Sequence, residues 1–391
     1  MDPLPILGVT AVSALGTTLD QLRASLWAGR SGLQASSVVL PGATAPVGEV
    51  RVLLPPLPGT LAAHESRCAR LLAMALAPLA PVLDGLRATV PAHRLGVVVG
   101  TSASGNRDLE DAFRSDGAAG FDYHRRQVFG AAAVVAARLV DARGPAWTVS
   151  TACSSGANAV ISAARLLRTG TCDAVVVASV DALCWTTYHG FRGLGVMDSR
   201  TCRPFDVDRQ GLNLGEGAAA MVLVRDRPPA SDTGPELSLA GWGAGSEAYH
   251  MTAPEPEGEG AARVMAEAIA RAGIKPSDVG YVNLHGTATP ANDSAESRGM
   301  VKVLGTGVPC SSTKGFTGHL LGAAAGVEAA ITLLALIDQR LPRNLGCEVL
   351  DPDVQARILG DDLPAPGIRY ALSNSFAFGG NDTSLVFGVR R

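Results

Sequence analysis

The stretch Pro145-Ala146-Trp147-Thr148-Val149-Ser150-Thr151-Ala152-Cys153-Ser154-Ser155-Gly156 runs straight into the Ala-rich segment Ala157 to Leu167. Its first six residues read as a strand, and the segment after it reads as a helix. Cys153 therefore stands where a strand hands over to a helix N-terminus, whose unpaired N–H groups and dipole favour negative charge. A free thiol with a pKa near 8.5 is only a few per cent thiolate at neutral pH; lowering it by roughly two units makes most of it nucleophilic. Taken alone, the segment admits two readings, a buried inert thiol or a nucleophile.

The order of elements occurs twice. Leu71 to Leu86 has a helical pattern, followed by the apolar run Leu95-Gly96-Val97-Val98-Val99 and the turn Gly100-Thr101-Ser102. In the second half, helical Ala262 to Ala272 precedes the run Val279 to Leu284 and the turn His285-Gly286-Thr287. The Cys153 segment is then answered by Val308 to Lys314 and a helix from about Gly318 to Ile337. Each half closes with strands, at Ala174 to Val180 and Ala218 to Val224, then at Ile368 to Asn374 and Thr383 to Val389. Strands alternating with helices predict an α/β fold of two duplicated halves on a mostly parallel sheet. The Pro/Asp/Gly-rich seam Asp226 to Gly234 reads as the linker. In such folds ligands collect at the carboxyl ends of strands, where the turns at 100, 151, 285 and 313 converge.

Composition narrows the function. The 391 residues are 47% hydrophobic, enough for a large core, and the net charge of −3 comes without a dense basic run, so no nucleic-acid partner is expected. Seven cysteines, an odd number without a CxxC, suit a reduced cytoplasmic chain and no metal site. Met1-Asp2-Pro3-Leu4-Pro5 has no basic n-region, so no signal peptide is expected. The apolar run Leu320 to Ile337 carries Glu328 at its middle and reads as a buried core helix, not a membrane span.

Three further segments bear on Cys153. His285 directly follows an apolar strand, which would hold its ring rigidly towards the cleft, and Thr287 and Thr289 add hydroxyls for a polar ligand. His319 stands at the expected start of the Ala-rich helix, where the dipole disfavours an imidazolium and keeps the ring neutral. Glu328 on that apolar helix needs a partner, and Lys314 is the obvious one; the pair is expected to orient His319. Finally, Asn374-Ser375-Phe376-Ala377-Phe378-Gly379-Gly380-Asn381-Asp382 ends a strand in aromatics and two glycines, so its backbone can approach a reacting centre, with the N–H groups of Phe378 and Cys153 cradling an oxyanion.

With TACSSG at Cys153, NLHGTATPAND at His285, STKGFTGHLLGAAAGVEA at His319 and NSFAFGG at Phe378, the chain resembles the elongating β-ketoacyl-acyl-carrier-protein synthases. Arg203-Pro204-Phe205-Asp206, Gly215-Glu216-Gly217 and Ala248-Tyr249-His250-Met251-Thr252 extend the likeness over nearly the whole chain. The resemblance implies a thiolase fold, five-layered αβαβα, with halves 1–230, carrying the nucleophile, and 235–391, carrying the two histidines. It implies that Cys153 takes the acyl chain from acyl carrier protein, and that His285 and His319 assist decarboxylation of malonyl-carrier-protein. Lys314 and Glu328 would organise His319, and Phe378 would gate the acyl pocket. Thr287 and Thr289 would line the phosphopantetheine tunnel, with Thr252, Phe376, Gly379 and Ala103 as further substrate-binding positions. No bound cofactor is implied, only phosphopantetheine-linked acyl and malonyl substrates. The implied partners are acyl carrier protein and a second subunit, either a copy of the chain or a chain-length-factor-like subunit.

Two departures stand out. Gly379-Gly380-Asn381-Asp382 replaces the usual Gly-Gly-Thr-Asn of that family. Small Ala103 sits where housekeeping enzymes often carry a bulkier aliphatic or Gly, which would admit a longer or stiffer chain. Val180 to Trp185 with His189-Gly190-Phe191 resembles specialised synthases of bacterial polyene pathways. Rival readings fare worse. An initiating synthase has asparagine in place of the second histidine, a degradative thiolase carries a second cysteine near the C-terminal glycine turn, and a non-catalytic chain-length factor lacks Cys153.

Overall fold

The computed structural model describes residues 2–36, 38–115, 117–227 and 234–391. Most of the linker read at Asp226 to Gly234, namely 228–233, lies outside the described residues. Ten strands make up nearly all of the main sheet. In the first half they are β1 (Leu4–Val12), β2 (Leu95–Gly100), β3 (Ala146–Val149), β4 (Ala174–Asp181) and β5 (Gly217–Val224). The second half supplies β6 (Glu236–Ser246), β7 (Val279–Asn283), β8 (Pro309–Ser311), β9 (Tyr370–Ala377) and β10 (Asn381–Arg390).

Their spatial order is β3-β2-β4-β5-β1 in the first half and β8-β7-β9-β10-β6 in the second, so adding five to each label converts one into the other. The directions match too: β2 is parallel to β3 and β4 while β5 runs antiparallel to β4 and β1, and β7, β8, β9, β10 and β6 repeat this. The expected mostly parallel sheet is therefore corrected to a mixed one. The reason is local: β9 and β10 are joined by the tight Phe378–Gly380 turn, which permits only antiparallel pairing. The two five-stranded halves are joined into this one sheet through β1 and β6, which pair over Leu4–Ile6 and Leu237–Leu239.

Helices complete five layers. Helices α1 (Arg67–Leu76) and α2 (Gly130–Leu139) cover the outer face of the first half of the sheet. Helices α3 (Ser155–Arg168) and α6 (Ala324–Asp338) lie between the halves, and α4 (Glu259–Ala272) with α5 (Pro290–Leu304) cover the second. This is the α/β thiolase fold of two duplicated halves. β2, β4 and β5 are buried along their whole length, which explains their unbroken Val/Ala runs: strands covered on both faces have no polar side to alternate with.

Two helical stretches, Arg67–Leu86 and Leu321–Asp338, are long and apolar enough to cross a membrane by length and composition. The second is 89% buried within the fold, as expected of a core helix. Its alanines and Gly326 let it pack closely between the two halves of the sheet. A Cβ at Gly326 would lie 2.0 Å from Ser179 Oγ, so the central layer has no room for a larger residue there.

Candidate active site

Cys153 lies in the turn between β3 and α3, behind Ala152, whose φ of +50° puts a non-glycine residue in the left-handed region. Two hydroxyls hold that conformation: Ser102 Oγ donates to the Ala152 carbonyl at 2.7 Å and Ser155 Oγ at 2.6 Å. A Cβ at Gly100 would lie 2.6 Å from Gly156 N, so glycine lets the end of β2 touch the start of α3. The thiol is thereby pushed out of the helix line into a cavity of about 280 Å³.

The cavity brings together Cys153, His285, His319, Phe376, Phe378 and Gly379, with Thr252, Thr287 and Thr289 along its wall. His319 Nε2 is 2.9 Å from Cys153 Sγ, and the His285 ring stands edge-on to His319 with centroids 5.4 Å apart. Phe376 tilts against His285 at 5.9 Å. The backbone N–H groups of Phe378 and of Cys153 itself are near enough to the sulfur to favour its charged form. Gly379 and Gly380, at φ +85° and +70°, make the turn that brings Phe378 back over the thiol, and Gly379 N donates to Met251 O at 2.8 Å. The Phe378 ring stacks on Phe191 at 5.6 Å. Thr287 and Thr289 hydroxyls are 2.8 Å apart and share a hydrogen bond.

Four expectations are corrected. First, the thiol is not lowered: burial pushes Cys153 up to about 12, outweighing Lys314 and the two backbone N–H groups. The resting group is the thiol, and His319 Nε2 is the base within reach as a C–S bond forms.

Second, His319 does not start the helix. It sits in an extended bridge, donating its N–H to Asn213 O at 2.7 Å and accepting from Gly215 N at 2.9 Å; the helical turn opens at Leu321 and α6 at Ala324. Its ring is still held neutral, but by burial first and the Lys314 charge second.

Third, the buried Lys314–Glu328 pair serves His285. Lys314 Nζ donates to Glu328 Oε1 and to the His285 carbonyl, each at 2.5 Å, and faces His285 Nδ1 at 3.4 Å. A cation facing Nδ1 assigns the His285 proton to Nε2, and burial followed by Lys314 and His319 keeps that ring neutral.

Fourth, Ala103 does not line the cavity. It is buried, its N–H donating to Asp181 Oδ1 at 2.8 Å.

Several residues of the site were missed. Glu296 on α5 accepts the His285 N–H at 2.8 Å, the Gly286 N–H at 2.7 Å and Asn374 Nδ2 at 3.1 Å. Burial lifts its carboxyl to about 7 against those donors. Its position eleven residues after His285, in a helix opened by Pro290, was the available signal. Asp181, at the end of β4, accepts from Thr101 Oγ1, the Ser102 and Ala103 N–H groups and the Gly322 N–H, tying the nucleophile turn to the His319 segment. Phe191, Glu247 and Asp382 also line the cavity.

A cysteine behind a strained Ala152, two neutral histidines and nearby backbone N–H groups define an acyl-transfer site of covalent type. The profile of the beta-ketoacyl synthase N-terminal domain matches residues 67–228, and that of the C-terminal domain residues 237–348. The chain is 34% identical over 313 residues to 3-oxoacyl-[acyl-carrier-protein] synthase 2 of a Synechocystis strain, covering 76% of this chain and 75% of that one. A ketosynthase from Xenorhabdus doucetiae, solved in complex with its chain length factor, shares 38% identity at a TM-score of 0.92 over 99% of this chain and 98% of its own. The ishigamide ketosynthase/chain length factor matches at 26% and 0.86, over 100% and 99%. The chain belongs to the beta-ketoacyl synthase family. It is an acyltransferase that elongates acyl chains by Claisen condensation in fatty-acid or polyketide synthesis.

Proposed function

We propose that Cys153 carries the growing chain as a thioester received from acyl carrier protein, and that malonyl-carrier-protein is the extender. The observation that carries this reading is the 2.9 Å contact between His319 Nε2 and Cys153 Sγ beside the neutral His285 ring in one cavity. Sγ attacks the carrier thioester; its proton passes through His319 Nε2 to the departing carrier thiolate. Malonyl loses CO₂, leaving an enolate whose oxygen accepts an N–H bond from His285 Nε2 and one from His319 Nε2, to which the His319 proton shifts once the acylated Sγ no longer donates there. The enolate carbon attacks the acyl carbonyl, whose oxyanion faces the N–H groups of Cys153 and Phe378. Collapse releases 3-oxoacyl-carrier-protein and returns Sγ to take up a proton. Thr252, Thr287 and Thr289 line the arm's path, Phe376 and Gly379 border the reacting end, and the Phe378 ring is the gate. All chemistry falls to side chains and backbone, with no cofactor beyond the substrates' own phosphopantetheine.

His285 and His319 separate in this scheme because only His319 touches the thiol. His285→Ala is expected to lower malonyl decarboxylation by about 10²–10³-fold while Cys153 still becomes acylated; His319→Ala should impair both steps. Single-turnover acylation followed by mass spectrometry, beside a CO₂-release assay, reads the two separately. Equal loss of both steps in both variants would reduce the histidines to a structural role.

We further propose a specialised polyketide or polyene pathway, halves bounded at 1–230 and 235–391, a cytoplasmic location, and a dimer with a copy of the chain or a chain-length-factor-like subunit. Likeness to a ketosynthase solved with such a factor, 38% identical at a TM-score of 0.92 over 99% of the chain, supports the specialised reading. The dimer is supported by β3, an edge strand with Trp147 exposed beside exposed Phe129 and Val134. Trp147→Glu should convert the dimer to monomer by sedimentation; an unchanged mass would move the interface elsewhere. Weighing products from saturated and polyunsaturated acyl-carrier-proteins tests the pathway, since turnover of saturated long chains alone would return the enzyme to housekeeping lipid synthesis.

A further inference from the structure

The turn that carries Phe378 ends in Asp382, where the family usually has an asparagine. Asp382 is 2% exposed, and among the described residues its Oδ2 meets no hydrogen-bond donor. What faces it is a second carboxyl, that of Glu247 just past β6. Both crowd the space above Gly260, where a Cβ would lie 2.6 Å from Asp382 Oδ2 and 2.6 Å from Glu247 Oε1; glycine there leaves room for the pair. Both residues are also built into the turn. Glu247 N donates to Gly380 O at 2.9 Å, and Asp382 pairs with Phe376 across the β9–β10 ladder.

Two carboxylates in this position repel each other and leave Oδ2 unsatisfied, whereas one proton between them makes an acid–carboxylate hydrogen bond. We propose that Asp382 and Glu247 share a single proton, and that this acid pair holds the Phe378–Gly380 turn over Cys153, making Asp382 a positioning residue for the oxyanion site. The inference rests on the proposed role of the Phe378 N–H.

The charged groups around the pair act in both directions. From α4, Arg263 favours ionisation of Asp382 while donating to Ser246 O at 2.8 Å. From α5, Glu296 opposes it, as do Glu247 and burial. Glu247 Oε2 accepts the Glu255 N–H at 3.0 Å, and the Glu255 carboxylate is occupied by the N–H groups of Glu257 and Glu259. His250, on the neighbouring loop, accepts the Thr252 and Ala253 N–H groups through Nδ1. Burial and then Glu247 push Asp382 up to about 9. The sign follows: the pair is protonated and the turn closed below about pH 9, and above it the second negative charge drives the two apart.

The test compares wild type with Asp382→Asn and Glu247→Gln, in each of which an amide N–H replaces the shared proton. Wild type is expected to lose condensation rate roughly tenfold per pH unit above about pH 9. Both variants, each scaled to its own rate at pH 7, should lack that alkaline limb up to pH 10. A substrate-free readout accompanies it: wild type should show a protonated-carboxyl infrared band that titrates near pH 9 and is absent from both variants. An alkaline limb or a band that persists in either folded variant would overturn the proposal. A missing limb in wild type with the band present would instead remove the Phe378 N–H from the reaction and leave the shared proton standing.

Discussion

Cys153→Ala is expected to abolish acyl transfer, lowering condensation by on the order of 10⁴-fold or more, because no other group in the cavity can form the thioester. Intact-mass spectrometry after incubation with acyl-carrier-protein should show wild type gaining one acyl group and the variant none. An acylated variant would move the nucleophile elsewhere. The substitution removes a thiol that lies 2.9 Å from His319 Nε2. It leaves Ala152 and its two hydroxyl contacts in place, so the variant should keep the wild-type unfolding midpoint. Malonyl decarboxylation should persist in it, since that step needs the imidazoles and not the thiol.

Lys314→Ala carries the second large effect, and on stability as much as on rate. Lys314 and Glu328 are 1% and 2% exposed; Glu328 Oε1 takes the Lys314 bond, and its Oε2 has no hydrogen-bond partner among the described residues. Removing the cation leaves a buried carboxylate uncompensated, a loss of about 3–5 kcal/mol. The double variant Lys314→Ala/Glu328→Ala removes both charges and should recover part of that loss, read as the midpoint of denaturant unfolding. Burial already raises the Glu328 carboxyl against the pull of Lys314. With Lys314 gone the carboxyl rises further, so the single variant binds a proton more tightly folded than unfolded and should regain stability as pH falls. The rate effect follows from the contacts: without Nζ on its carbonyl and Nδ1, His285 loses both its position and its tautomer, so decarboxylation should fall more than acylation of Cys153.

Much of this was legible along the chain because it depends on neighbours in sequence. Unbroken apolar runs such as Val97 to Val99 mark strands covered on both faces, and the repeated order of strands, helices and turns disclosed the duplication. The residues after β3, β7 and β9 could be named as the site because strand ends converge in such a fold. Two kinds of error remained. Strand direction was misjudged where a turn, and not a crossover, joins β9 to β10. Charge states were misjudged at Cys153 because a helix N-terminus is visible in sequence while burial is not, and burial dominates.

Which histidine Lys314 serves could not be read from spacing either. Lys314 is five residues from His319 and twenty-nine from His285, yet it touches His285, because β7 and β8 are parallel neighbours and the residues after them are brought side by side. The same holds for Glu296, which reaches His285 only because α5 folds back over the end of β7, and for Glu247 and Asp382, brought together where β6 and β10 pair. Strand and helix periods and the strand-end motifs are local properties, so the duplicated α/β fold, and the cysteine and two imidazoles proposed for the chemistry, could be read along the chain. Tertiary structure alone decided which charge faces which ring and whether a thiol is ionised, since those depend on desolvation and on contacts between segments far apart in the chain.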